Sequence, residues 1–271
     1  MPRCLESVRW ADEIVIVDSQ STDQSQGIGE SFGAKVVQFH FNGKWPKKKN
    51  WALENVQFRH EWVFILDADE VLPTEAEDEF RRVVTESENV LAGYWINRRF
   101  MFMGKWLRHA YYPNWNLRLF RHRLGRFEKL TEAATNSGDN EVHEHVVISG
   151  PTGRLKAEMD HYAFPSVDVF VEKHNRYSNW EAHVALDRHL RGSDARLQNT
   201  EVGFRRRLKS LSQDLPFRGL LRFLYVYVWQ RGFLDGREGY YFARLHGFYE
   251  FLSTAKTYEL KKQEEHARSS R

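Results

Sequence analysis

The sequence predicts an α/β fold for its first third, a strand-rich middle and a helical end. Two observations carry the α/β assignment. "EIVIVD" (13–18), "AKVVQF" (34–39) and "WVFILD" (62–67) are short apolar runs, two of them rich in β-branched residues. Helix-compatible stretches separate them, as in a parallel sheet covered on both faces. A third observation sets the end: from Ser166 the spacing of apolar residues turns helical.

Taken in order, "PRCLESV" reads as a short helix with Leu5 and Val8 on one face. The first strand follows, then "SQSTD" as a turn, in which Ser21, Thr22 or Asp23 can cap a helix ending near Gly33. The second strand leads into "KKKNWALENV" (47–56), a helix, and then into the third strand. In "PTEAEDEFRRVV", Thr74 and Glu77 have capping-box spacing, and Glu75, Glu77, Asp78 and Glu79 suit the first turn of a helix. From Ala92 to Tyr162 the chain reads as strands and loops, with no repeats. We place a boundary near Pro165, giving domains 1–165 and 166–260 and a disordered tail over 261–271.

At 271 residues the chain can bury a sizeable core. Cys4 is the single cysteine, so no intrachain disulfide forms and a reducing compartment is expected. The first residues lack the apolar stretch of a signal peptide. The longest apolar run, "FLYVYVW" (223–229), is far too short to span a bilayer. A net charge of +3 conceals a basic stretch. Between Phe204 and Arg222, Arg205, Arg206, Arg207, Lys209, Arg218 and Arg222 face only Asp214, a pattern suited to anionic lipid, phosphate or nucleic acid. Large aliphatics interleave with these cations and no nucleic-acid motif is present, so nucleic acid is not an expected partner.

The chemistry concentrates in "HEWVFILDADE" (60–70). Helix-start electrostatics account for the acids after Pro73 but not for Asp67, Asp69 and Glu70. Asp67 and Asp69 sit where a strand ends, the edge at which open α/β sheets bind ligands. Two carboxylates one residue apart can hold Mg²⁺ or Mn²⁺ together with phosphate oxygens. Asp18 ends another strand, and adjacent parallel strands would place it on the same edge as Asp67. There it could accept from a nucleobase or ribose, or simply form the turn.

"ADEIVIVDSQSTD", "KKKNWAL" and "WVFILDADE" together resemble the family 2 glycosyltransferases, which have the GT-A fold. "GKWLRHAYYPNWNLRLFR", "GDNEVHEHV" and the helical end resemble the lipopolysaccharide-core and exopolysaccharide branch, so the likeness spans nearly the whole chain. The resemblance implies a GT-A mixed sheet over 1–165 with a C-terminal helical, membrane-interfacial extension. It also implies an inverting, metal-dependent transfer from a nucleotide-sugar donor, UDP-linked, to a glycan or lipid-linked acceptor. Asp18 would contact the base, Asp67 and Asp69 the ribose and metal, and Lys48 or Lys49 the nucleotide. His161 would be a further metal ligand. Glu144 would be the general base, with His143 orienting it. Lys173 and Arg176, one helical turn apart, would clamp the diphosphate. "KHNRY" resembles the QxxRW signature of processive relatives but differs at Lys173 and Tyr177, which argues against processivity.

The expected location is cytoplasmic, peripheral at the inner face of the membrane. There the basic, aromatic helices would meet anionic inner-leaflet lipid, although packing of those aromatics onto the catalytic domain fits the pattern as well. Family members begin with a strand that does not precede Pro2-Arg3-Cys4 here. Weak nucleotide binding is therefore expected, and a degenerate transferase acting as a scaffold is the alternative.

Overall fold

The computed structural model describes residues 1–86, 90–129, 145–191 and 217–269. The chain divides into two units. One takes the described residues up to Ala163 except Leu107–Tyr111. The other takes Leu107–Tyr111 and the chain from Phe164 onward.

The first unit runs α1 (Pro2–Ser7), β1 (Val15–Asp18), α2 (Ser25–Ser31), β2 (Lys35–Gln38), α3 (Lys48–Asn55), β3 (Trp62–Phe64), β4 (Glu70–Val71) and α4 (Ala76–Thr85). It continues through β5 (Gly93–Phe102), β6 (Lys105–Trp106), β7 (Trp115–Arg121), β8 (Gly125–Phe127), β9 (Val146–Ile148) and β10 (Thr152–Phe164). β1 and β2 pair in parallel, with Asp18 opposite Gln38. A six-stranded sheet has the order β3-β7-β5-β10-β4, with β6 on β5. β8 and β9 form a separate antiparallel pair.

Burial explains the layering. On one face of the large sheet Leu72, Ala76, Phe80, Tyr94, Leu119 and Met159 bury a core against α1 and α4. A second cluster joins Phe120 to Leu53 of α3 and Phe127 of β8. Strand alternation in β7 sends Leu119 to the first core and Phe120 to the second, while Arg118, where the β5–β7 register shifts, reaches Asp67 and Glu70.

Two expectations are corrected in this unit. β1 and β3 are not neighbours: β3 pairs antiparallel with β7, and β1 pairs with β2 in a separate two-stranded sheet. Asp18 and Asp67 thus end strands of different sheets. Which strand pairs with which is a tertiary choice, decided by burial of both faces rather than by sequence order. The capping box does not form either, because α4 begins at Ala76 with Glu75 at its cap and no side-chain cap bond. Glu79 instead accepts the backbone N–H groups of Lys156 and Ala157, at 2.9 and 2.7 Å.

The second unit contains α5 (Val167–Arg191), α6 (Arg218–Leu224), a π-helical turn (Tyr225–Trp229), a 3-10 turn (Gly232–Asp235) and α7 (Gly236–Ser269). α7 runs past Lys261, where the folded chain was expected to end. The Glu, Lys, Gln and Ala residues of that stretch are strong helix formers, and Arg268 pairs with Glu264 one turn back. Phe170, His174, Phe242, His246 and Tyr249 pack ring against ring between α5 and α7. α6 and α7 cross where Gly219 meets Gly247: a methyl on either would stand 2.6 or 2.7 Å from the other's carbonyl oxygen. Buried Asp235 collects the backbone N–H groups of Arg108, His109 and Ala110 at 2.8–3.0 Å, and His109 Nδ1 at 2.9 Å. Among the described residues no helix is long and apolar enough to cross a membrane.

Candidate active site

Where β3 ends, the chain folds back on itself in a short turn that fixes the acids. Asp67 N–H donates to Glu70 Oε2 and Glu70 N–H to the Asp67 carbonyl, both at 2.9 Å. β4 then pairs antiparallel with β10, setting His161 opposite Glu70. The Tyr162 N–H donates to the Asp69 carbonyl at 2.8 Å. The strand tip and the late histidine, distant in sequence, meet through this ladder.

Glu70 is fully buried, and two arginines compensate its charge. Arg118 donates to it at 2.9 Å and Arg98 at 3.3 Å. Arg118 Nη2 donates equally to Asp67 Oδ2 at 2.9 Å, while Lys49 Nζ holds Asp67 Oδ1 at 2.7 Å. Asp67 keeps about 35% of its side-chain surface exposed, so the pair of cations grips it from the protein side alone. Burial would raise its pKa, but Lys49 and Arg118 outweigh that and hold it well below the ordinary value. Burial likewise opposes the Arg118 charge, and Glu70 and Asp67 overcome it, raising the guanidinium pKa. Cys4 donates to the Asp67 carbonyl at 3.5 Å. Burial, reinforced by the acids, pushes its thiol up to about 12, so it is not a nucleophile.

Lys49 reaches Asp67 because Asn50 anchors α3. Its amide donates to the Phe127 carbonyl and accepts the Phe127 N–H, both at 2.8 Å. The same helix start carries Lys48, whose charge is felt by Asp18. α3 is thus the physical link between the two strand-end acids that share no sheet. Asp18 itself is buried and accepts from Ser21 N–H and Gln38 Nε2, both at 3.0 Å, and from the Ser21 hydroxyl. The Ser21 bonds lower its pKa most, with Gln38 and Lys48 adding to them against burial. The turn-forming role is therefore present, and it keeps the carboxylate ionised at the strand tip.

Asp69 Oδ1 lies 3.6 Å from His161 Nε2. His161 Nδ1 is buried with no hydrogen-bond partner among the described residues, and its ring packs edge-on against Phe100. A carboxylate and an imidazole nitrogen at this separation fit two adjacent positions of a divalent cation, which at bond lengths of ~2.0–2.1 Å brings its ligands to about 3 Å apart. Asp67 suits a metal less, since both its oxygens already have cationic partners. Among the described residues no three His, Cys, Asp or Glu side chains form a ready metal cage. A cation here would draw its remaining ligands from phosphate and water.

The other expected residues fall elsewhere. Glu144 and His143 lie outside the described residues. Lys173 and Arg176 lie on α5 in the helical unit, Lys173 Nζ standing 5.6 Å from the Phe164 ring centroid. Two hollows in the first unit, one beside Arg9, Asp12 and Arg59 and one beside Glu75, Arg99 and Glu158, are not lined by Asp18, Asp67 or Asp69. Sequence reasoning missed Arg118, Arg98 and Asn50. The signal for Arg118 was available: a cation inside the apolar run "NLRLF" needs a buried acid, and Glu70 was the acid without an assignment.

The sequence is similar to that of known proteins. Residues 1–144 match the model of Glycosyl transferase family 2. A glycosyltransferase of uncharacterised role from Rickettsia bellii is 26% identical over 265 residues, covering 96% of this chain and 82% of that protein. The lipopolysaccharide core biosynthesis glycosyltransferase LpsC of Rhizobium meliloti is 28% identical over 275 residues, covering 95% and 86%. A crystal structure of S. aureus TarS 1-349 aligns over 96% of this chain and 87% of that one, with 15% identity and a TM-score of 0.39, from which no residue correspondence follows. With the family model reaching across more than half of its length, the chain belongs to glycosyl transferase family 2, and its mixed α/β unit is the GT-A fold.

Proposed function

We propose that the protein transfers a sugar with inversion from a nucleotide-sugar donor, UDP-linked, to a glycan or lipid-linked acceptor in envelope polysaccharide synthesis. The observation that carries this reading is the approach of Asp69 to His161, 3.6 Å apart, beside Asp67, which Lys49 holds at 2.7 Å from a helix start that also carries Lys48. LpsC, a lipopolysaccharide core enzyme by name, supports the choice of acceptor class.

In this mechanism Asp18 and Asp67 receive the nucleoside, and Lys48 and Lys49 hold the diphosphate at the open N-terminus of α3. Asp69 and His161 would hold Mg²⁺ or Mn²⁺, which supplies countercharge to the departing diphosphate without proton transfer. Arg118 and Glu70 keep Asp67 ionised and aimed. Glu144, oriented by His143, accepts the proton of the attacking acceptor hydroxyl on the face opposite the leaving group. The protein works at the inner face of the membrane, its C-terminal helices against lipid.

The test is a donor screen on the purified protein with Mn²⁺, comparing wild type with Asp69→Asn. Turnover of one nucleotide sugar should fall at least about 100-fold in the variant. Calorimetry should show nucleoside diphosphate binding that loses its Mn²⁺ dependence. An Asp69→Asn protein with undiminished turnover and Mn²⁺-dependent binding refutes the assignment.

A further inference from the structure

The segment from Phe217 to Leu234 turns an uncharged stripe outward. Phe217, Leu220, Leu221, Leu224, Val228 and Trp229 recur at helical spacing, the pattern that a globular helix normally buries. Each is at least 44% exposed, and Phe217 and Trp229 nearly four-fifths. Tyr225, Phe233 and Leu234 extend the patch. The opposite side fixes it there. Gly219 and Gly247 bring the backbones of α6 and α7 into contact, Val226 is fully buried, and Phe223 and Tyr227 pack onto Tyr240.

Of the basic residues expected to meet lipid, Arg218 and Arg222 point elsewhere, while Arg205, Arg206, Arg207 and Lys209 lie outside the described residues. Arg218 is ion-paired with Glu250, and Arg222 lies over the Tyr225 ring with its Nε buried. The exposed charges are Arg231, near the far end of the segment, and Arg237 just beyond it. Its one acid between Phe217 and Arg237, Asp235, is buried.

We infer that this face lies in the interface of a lipid bilayer, the stripe sunk among acyl chains and Arg231 and Arg237 at the phosphates. The inference rests on the membrane-side reading above but changes its driving force, from attraction of a basic tail to insertion of an apolar ridge. Aromatic residues beside arginines suit the level where acyl chains give way to headgroups. A protein partner would call for a rim of mixed charge. Here the exposed charges described from Phe217 to Arg237 are Arg231 and Arg237, complementary to phosphate.

The test is flotation of the full chain with vesicles of phosphatidylcholine, alone or mixed with phosphatidylglycerol, at low and high salt. The triple variant Leu224→Ser, Val228→Ser, Trp229→Ser should partition at least about tenfold less into both. Tyr258→Ser, an exposed aromatic off the stripe, should float like wild type, and added salt should change little. Circular dichroism confirms that each variant folds, and donor hydrolysis in vesicle-free buffer should be unchanged. This last measurement separates failure here from failure of the transferase reading. A triple variant that floats like wild type overturns the inference. So does wild-type binding that needs phosphatidylglycerol and is released by salt. A wild type that stays off vesicles but sediments as a dimer, dispersed by the triple variant, overturns it in favour of a second copy.

Discussion

Replacing Arg118 with methionine removes the cation shared by two carboxylates, and its cost follows from the geometry. Arg118 is 8% exposed in its side chain and Glu70 not at all, so the bond between them is unscreened by water. A hydrogen bond between charged groups contributes about 1.5–3 kcal/mol. The Asp67 bond counts for less, since that carboxylate is about 35% exposed and keeps Lys49. Glu70 keeps only the longer bond to Arg98. Arg118→Met should therefore destabilise the protein by about 3 kcal/mol, at the lower end for breaking a buried pair. Glu70→Leu should cost a similar amount. The double variant should cost less than the sum, with a coupling of about 2 kcal/mol, because an apolar pair of similar volume leaves no stranded charge. Urea unfolding with an unchanged slope measures all three. Additive costs, or a single-variant loss under about 0.5 kcal/mol, the range of a neutral surface change, would refute this account of the acid turn.

Two further predictions concern the helical unit. Burial lowers the His174 pKa to about 4, outweighing its bond to the Phe170 carbonyl and the Glu181 charge, and burial, then Arg222, drives His246 well below the ordinary value. The unfolded imidazole titrates near 6.5, so between about 6.5 and 4 the unfolded chain binds the extra proton. Stability present above pH 6.5 is thus lost as the pH falls toward 4, by about 3 kcal/mol for His174. Melting temperatures across that range should fall, and His174→Phe should fall less steeply; parallel curves would count against it. At the α6–α7 crossing, Gly219→Ala should cost about 1–3 kcal/mol, read as a lower urea midpoint, because the new methyl meets the Gly247 carbonyl at 2.6 Å. An unchanged midpoint would mean that the helices separate freely.

Much of the α/β unit was legible, because "EIVIVD" and "AKVVQF" announce strands by their branched residues, and "WVFILD" by its apolar run. Asp67 and Asp69 stood out in the chain because helix-start electrostatics account for the acids after Pro73 but not for these two. Illegible from the chain alone was everything decided by pairing. The separation of β1 from β3, and the meeting of Asp69 with His161 through β4 and β10, depend on contacts that no local pattern encodes. Glu79 shows the same limit. It looks like a helix-start acid, yet it serves two N–H groups of a strand 77 and 78 positions away. Arg218 and Arg222 were read as surface cations because composition gives charge but not direction.

The carboxylate of Asp235 has a consequence for how the molecule must be made. Its donors stand 125 to 127 positions upstream, in a loop that leaves the sheet after β6 and returns before β7. During synthesis that loop has to wait, its amides in water, until the C-terminal helices emerge. A fragment starting at Phe164 would bury this acid without a single one of those amides. Neither unit is therefore one uninterrupted stretch of the chain.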